Sequence, residues 1–303
     1  MKFQQKLTAA LALILAAACA RAIPVVYVLT DAQQFGKVDL ATGVFTPIGP
    51  GLSDPSGGLV YGSGGNLLTL TFAGNLNSID PTTGVSTLIG ATGLGDCSLP
   101  TSACGPTSAN ILGKLGSTIY ATDLSNNLYS VNPTTGTASL IGPTGIPAVP
   151  FPPHTPVPGD SDGAFTVFDE SLFDFNGKLY ANFAAGTFDP VTFTPTPSID
   201  PHLYQINPTT GVATLIAPTS FGLSTIVAAD GQVYAFDTAL GEVVTLDLTN
   251  GNISYLSDAD QNAGLITGAL STTAPVPEPA SLALVGSGLA AIATAIKHHR
   301  HQR

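Results

Sequence analysis

A short phrase returns along this chain, and it limits the fold more than any other feature. Asp80-Pro81-Thr82-Thr83-Gly84, followed by Val85-Ser86-Thr87-Leu88-Ile89-Gly90, recurs as Asn132-Pro133-Thr134-Thr135-Gly136 running to Leu140-Ile141-Gly142. It recurs again as Asn207-Pro208-Thr209-Thr210-Gly211 running to Leu215-Ile216. Weaker copies are Asp39-Leu40-Ala41-Thr42-Gly43 and Asp247-Leu248-Thr249-Asn250-Gly251. The chemistry is that of a hairpin loop: Asp or Asn caps the turn with its side chain, Pro presets φ, and Gly takes the left-handed position before the next strand. The Thr-rich, β-branched flanks favour strands.

The phrase glycines fall at 43, 84, 136, 211 and 251, so the shortest spacings are 41 and 40 residues. A second landmark, Tyr27, Leu68, Tyr120 or Tyr234, precedes its glycine by sixteen or seventeen residues, and Tyr180 precedes Gly211 by thirty-one. Each unit has room for four short strands, as in Leu223–Ala229, Gln232–Phe236, Glu242–Asp247 and Asn252–Leu256. Four strands at a period near forty predict a β-propeller blade. The first unit begins at Tyr27 and lacks an innermost strand, while the apolar run Ala263–Leu270 has no unit of its own. That run is expected to pair into the first blade, closing a five-bladed ring with strands from both ends and hiding sheet edges. A sixth blade would need a unit within residues 143–200, where only insertions are found. An open β-solenoid is the alternative. The expected class is therefore all-β, with the propeller at residues 23–273.

Charge narrows the partners. Residues 23–276 hold three lysines against nineteen acids, a net of −16, and the other six basic residues lie at the two ends. Phosphate backbones need clustered Lys and Arg, so nucleic acid is excluded. Only 10% of the residues are charged and 44% are hydrophobic, which excludes a disordered acidic tail.

Both ends carry addresses. Lys2 and Lys6, the apolar stretch Leu7–Ala18 and a small-x-small site at Ala18-Cys19-Ala20 or Ala20-Arg21-Ala22 form a secretory signal peptide over residues 1–22. Read as a lipoprotein cysteine, Cys19 would want a large aliphatic residue where Ala16 stands. Residues 274–303 have three parts: Val276-Pro277-Glu278-Pro279-Ala280-Ser281, an uncharged stretch to Ile296, and the basic tail Lys297-His298-His299-Arg300-His301-Gln302-Arg303. The span 280–296 would measure about 25 Å as a helix, enough to cross a thin bilayer. The basic tail would hold its end in the cytoplasm. This order resembles the PEP-CTERM sorting signal of Gram-negative bacteria, with three His in the tail where the family is usually Arg-rich. The resemblance implies a transient membrane anchor, and recognition and removal of the tail by an exosortase, in bacteria that make exopolysaccharide. A plain tail anchor that is never cut is the alternative.

Function is sought where the repeat is interrupted. One insertion of about a dozen residues carries Cys97 and Cys104, a second is the Pro-rich run Pro143–Gly163, and a third lies between Phe183 and Pro201. In an up-and-down blade all three emerge on one face, opposite the Pro-Thr-Thr-Gly turns, where repeat proteins often bind. Cys97 and Cys104 are expected to form a loop-stapling disulfide in an oxidising compartment; zinc would need two more ligands, and only His154 and His202 remain outside the tail. Asp160-Ser161-Asp162-Gly163, with Asp169 and Glu170 following, resembles the start of a calcium loop, but the match stops after four residues. Asp160 and Asp162 are the weak metal candidates, and no cofactor is expected. Eight of the fourteen Phe lie between Phe151 and Phe193, either as a patch for polysaccharide or protein or as a satellite core beneath the loops.

No catalytic constellation is present: the two His are isolated, and no Gly-x-Ser-x-Gly or phosphate-binding loop occurs. The chain is expected to be an exported cell-surface or extracellular-matrix protein with a binding or scaffolding role. Its expected partners are exosortase, the secretion machinery, and exopolysaccharide or other matrix proteins of a biofilm. A propeller enzyme, lactonase-like with a metal or dehydrogenase-like with a quinone, is one alternative. A tail-anchored periplasmic binding protein is the other.

Overall fold

The computed structural model describes residues 23–95, 109–147, 165–189, 194–219, 222–237, 240–260 and 263–273. The chain divides into two units, Met1–Thr272 and Thr273–Arg303, and every described strand belongs to the first. Blade 1 contains β1 (Val25–Thr30), β2 (Phe35–Asp39) and β3 (Phe45–Pro47). Blade 2 is β4 (Ser56–Tyr61), β5 (Leu67–Thr71), β6 (Asn75–Ile79) and β7 (Ser86–Ala91). Blade 3 is β8 (Ala109–Leu115), β9 (Thr118–Asp123), β10 (Asn127–Val131) and β11 (Ala138–Pro143). Blade 4 is β12 (Phe165–Phe175), β13 (Lys178–Asp189), β14 (Thr194–Ile206) and β15 (Ala213–Pro218). Blade 5 is β16 (Leu223–Ala229), β17 (Gln232–Asp237), β18 (Glu242–Leu246) and β19 (Ile253–Asp258). A last strand, β20 (Ile266–Ser271), pairs antiparallel with β1, giving blade 1 the order β20-β1-β2-β3.

The ring is therefore a five-bladed β-propeller closed by strands from both ends. All five landmarks, Tyr27, Leu68, Tyr120, Tyr180 and Tyr234, lie on the second strand of a blade. The first blade starts two residues before Tyr27, because Val25 and Val26 already pair with Asp39 and Val38. The apolar core is divided into clusters between neighbouring blades. Val60, Leu68, Leu70 and Leu76 of blade 2 meet Leu112, Ile119, Ala121 and Val131 of blade 3. The other four blade boundaries hold similar clusters, and β20 contributes Ile266 and Ala269 to the one shared with blade 5.

The repeated phrase forms the turn between the third and fourth strands. Asn132 Oδ1 accepts the N–H groups of Thr134 (2.9 Å) and Thr135 (3.2 Å), while its carbonyl accepts the Gly136 N–H at 2.8 Å. Asp80 and Asn207 repeat this arrangement. The glycines are needed twice over. Gly136 and Gly211 have φ of 83° and 84°, and a Cβ on them would lie 2.6 Å from the Gly90 carbonyl and 2.7 Å from the Gly142 carbonyl of the preceding blade. Each turn thus docks on the outer strand of its neighbour. Gly136→Ala is expected to cost about 2–4 kcal/mol from left-handed strain and overlap combined, lowering the melting temperature by roughly 4–16 °C. Thermal denaturation checks this, with Thr134→Ala, two residues away and exposed, staying within about 1 kcal/mol.

Turns between first and second strands and between third and fourth strands share one face, the turn face. The remaining connections share the other, the insertion face. β1 begins and β20 ends on the turn face, where Val26 pairs with Ser271.

Candidate functional site

A repeated polar position ends the second strand of most blades and sets the loops of the insertion face. Thr30 Oγ1 accepts the Gln34 N–H (3.2 Å) and Thr71 Oγ1 the Asn75 N–H (3.1 Å). Asp123 Oδ1 accepts the N–H groups of Ser125 (3.0 Å) and Asn127 (2.9 Å), and Asp237 Oδ1 that of Leu240 (3.1 Å). Blade 4 has Phe183 at this position, buried against Ile146, with no side-chain acceptor to turn the backbone. There β13 and β14 run on to Asp189 and from Thr194, and β12 lengthens with them. The third insertion, expected as a loop between Phe183 and Pro201, is thus mostly strand. A three-stranded sheet rises from blade 4 on the insertion face.

The roots of the first two insertions share a device that sequence reasoning missed. Thr92 Oγ1 donates to the Gly74 carbonyl (2.7 Å) and accepts the Leu94 N–H (3.2 Å). Thr144 Oγ1 donates to the Asn126 carbonyl (2.7 Å) and accepts the Ile146 N–H (3.2 Å). Leu94 then packs into the core between blades 2 and 3, and Ile146 reaches across to Phe183 of blade 4. The signal was available as Thr92-Gly93-Leu94 and Thr144-Gly145-Ile146, at matching distances after the phrase. Asn126 Nδ2 also donates to the Pro147 carbonyl at 3.1 Å. Both insertions therefore leave the ring from fixed points.

Asp123 organises the loop that receives the second insertion. Its buried carboxylate accepts the two backbone N–H groups already named, the Asn127 side-chain amide (2.9 Å) and the Tyr129 hydroxyl (2.9 Å). Burial, and then the hydrogen bond to Asp123, push the Tyr129 hydroxyl up to about 12. On the turn face, Lys114 Nζ donates to the Tyr61 carbonyl (2.6 Å) and the Tyr61 hydroxyl to the Ser271 carbonyl (2.9 Å). Burial raises the Asp174 carboxyl above the ordinary carboxylate range, and Lys114 pulls it the other way. Lys114 thus ties together the inner strands of neighbouring blades.

The residues singled out by sequence fall as follows. Cys97, Cys104, Asp160 and Asp162 lie outside the described residues, as do Val276, Pro277, Glu278, Pro279, Ala280 and Ser281. The signal peptide and the span 280–296 lie outside them too. Asp169 and Glu170 are on β12, paired with Ala184 and Phe183. Phe173 stacks on Tyr180 at 5.6 Å, and Phe173, Phe175 and Phe183 all belong to core clusters. Among the described residues, no group of three His, Cys, Asp or Glu could hold a metal, and no helix is long and apolar enough to cross a membrane. A cavity of about 240 Å³ opens between blade 5 and β20, lined by Ser224, Asp237, Asp260 and Ile266 among others.

Residues 275–297 match the PEP-CTERM protein-sorting motif. The chain carries a PEP-CTERM sorting signal. PEP-CTERM proteins are exported, processed by an exosortase and sorted to the surface of Gram-negative bacteria. No curated protein matches this chain. Among solved structures, a nidogen/laminin complex chain is 10% identical, with 82% of this chain and 97% of that one covered and a TM-score of 0.47. A structural-genomics protein from Bacteroides thetaiotaomicron is 13% identical, with 77% and 55% covered and a TM-score of 0.46. The PQQ-bound aldose sugar dehydrogenase from Streptomyces coelicolor is 13% identical, with 75% and 87% covered and a TM-score of 0.42. Likenesses this distant say nothing of ligand or activity.

Proposed function

We propose that this PEP-CTERM protein is a cell-surface or extracellular-matrix component that binds or scaffolds through its insertion face. The sorting motif supports the destination. The carrying observation for binding is the asymmetry of the ring: the turn face repeats blade by blade, while the insertion face carries the fixed roots of two insertions and the raised sheet of blade 4. Rigid scaffolds present binding segments in this manner. The ligand class most compatible with a matrix destination is an exopolysaccharide or another matrix protein. An acidic domain suits neutral or cationic partners more than anionic ones.

Intact mass of the protein recovered from its native envelope and medium tests the destination. The expected result is a chain ending between Pro277 and Ala280, with or without an added group. A mass that still includes Lys297–Arg303 would replace this reading with a tail-anchored periplasmic binding protein.

A further inference from the structure

The chain holds two Asn-Gly pairs, Asn176-Gly177 and Asn250-Gly251, and the fold treats them in opposite ways. Such a pair can react with itself, because a glycine without a Cβ lets its nitrogen approach the preceding side-chain amide closely. Asn132 and Asn207 are barred from this chemistry, since each precedes a Pro that has no N–H. Asn176 and Gly177 are the two central residues of the hairpin joining β12 to β13. Both lie in the left-handed region (φ 50° and 72°), with Phe175 paired to Lys178. In a two-residue turn only that flanking pair exchanges main-chain hydrogen bonds, so the Gly177 N–H has no strand partner. Asn176 and Gly177 are both exposed, and a Cβ placed on Gly177 would meet nothing within 4 Å.

Asn250-Gly251 is locked instead. The Gly251 N–H donates to the Asp247 carbonyl (2.8 Å), and Asn250 Oδ1 accepts the Asn252 N–H (2.9 Å). Gly251 is buried, and a Cβ on it would overlap the Pro218 carbonyl of blade 4. Both reacting groups are held, in a turn docked on its neighbour.

We propose that Asn176 is a site of spontaneous covalent modification in the exported protein. The Gly177 nitrogen attacks Asn176 Cγ; a C–N bond forms, the Cγ–Nδ2 bond breaks, and the amide proton of Gly177 leaves with the amino group as ammonia. Water then opens the five-membered imide. Opening at the side-chain carbonyl leaves aspartate, and opening at the main-chain carbonyl leaves isoaspartate, with the backbone running through Cβ. Blade 5 shows which product fits, because its corresponding hairpin carries Asp230-Gly231 at φ 50° and 73°. Aspartate at 176 reproduces that turn. Isoaspartate adds a main-chain atom to it and disturbs the Phe175–Lys178 pair. Either product adds a negative charge beside Lys178, so the protein acquires charge with age. This inference goes beyond the binding role and needs neither a ligand nor cleavage of the tail.

The test is incubation of the mature secreted protein at neutral and at mildly alkaline pH, followed by peptide mapping by mass spectrometry. Expected is conversion of Asn176 to the two acidic products, faster at the higher pH because the attacking nitrogen must lose its proton. Asn250 should react about tenfold more slowly or less, since two hydrogen bonds must break before its ring can close. In the chain unfolded by urea the two sites should react at similar rates, which assigns the difference to the fold. Asn176 left intact in the folded protein while the unfolded chain reacts overturns the proposal. Asn250 reacting as fast as Asn176 in the folded protein also overturns it.

Discussion

A chain ending at Asn262 is expected to lose cooperative unfolding altogether, whereas one ending at Thr273 keeps it. The eleven residues between those ends include β20, which pairs with β1 through five residue positions and buries Ile266 and Ala269 at the boundary with blade 5. It is also tied by side chains: the Leu265 N–H donates to Asp31 Oδ1 (2.9 Å), Thr267 Oγ1 to the Ser56 carbonyl (2.8 Å) and Thr272 Oγ1 to the Val25 carbonyl (2.8 Å). Burial of the apolar side chains and the lost ladder amount to about 5–8 kcal/mol, comparable with the whole stability of a domain at ~5–15 kcal/mol. The cut would also uncover the inner edge of β1 and open the ring. Circular dichroism melts of the two chains, side by side, check this. A sharp transition in the shorter chain would mean that the ring closes without its last strand.

Asp123→Ala is expected to be the most damaging single substitution among those considered. It leaves the Tyr129 hydroxyl, the Asn127 amide and two backbone N–H groups, all on half-buried residues, without their acceptor. Orphaning four half-buried donors at about 1 kcal/mol each costs about 3–5 kcal/mol together, a fall of roughly 6–20 °C in melting temperature. Asp123→Asn should cost less, because one oxygen can still serve the backbone while the new amide confronts Tyr129 or Asn127. An alkaline titration gives a second readout. Burial first, and then the bond to Asp123, push the Tyr129 hydroxyl up to about 12, so the stability linked to its protonated form is full below about pH 10 and is lost as pH rises toward 12. In the alanine variant, ionisation should move down toward 10 but stop short, because burial is the larger cause of the shift.

Much of the ring was legible because its determinants are local and repeated. Asp80, Asn132 and Asn207 announce their turns within five residues, and the closure strand could be placed by counting from Gly251 as one counts from Gly211. The raised sheet was not legible in the same way. Its cause is the replacement of a turn-capping Thr or Asp by Phe183, and that position has meaning only once the strands are aligned across blades. Pro195 and Pro197 lie in β14 opposite Phe188 and Gly186; Pro fits a strand where its nitrogen faces outward on an edge, and the edge is a property of the assembled sheet. At the candidate site, sequence found where the insertions lie but not how they are held, since Thr92 and Thr144 act through carbonyls of Gly74 and Asn126 eighteen residues earlier.

The two strands that close the ring reach its margin on the same side. β1 enters and β20 leaves beside the repeated turns, with Val26 opposite Ser271. The opposite surface is thereby kept clear of the pair of strands that closes the ring. Loops on that surface can lengthen beyond their roots at Leu94 and Ile146 without touching the closing strands.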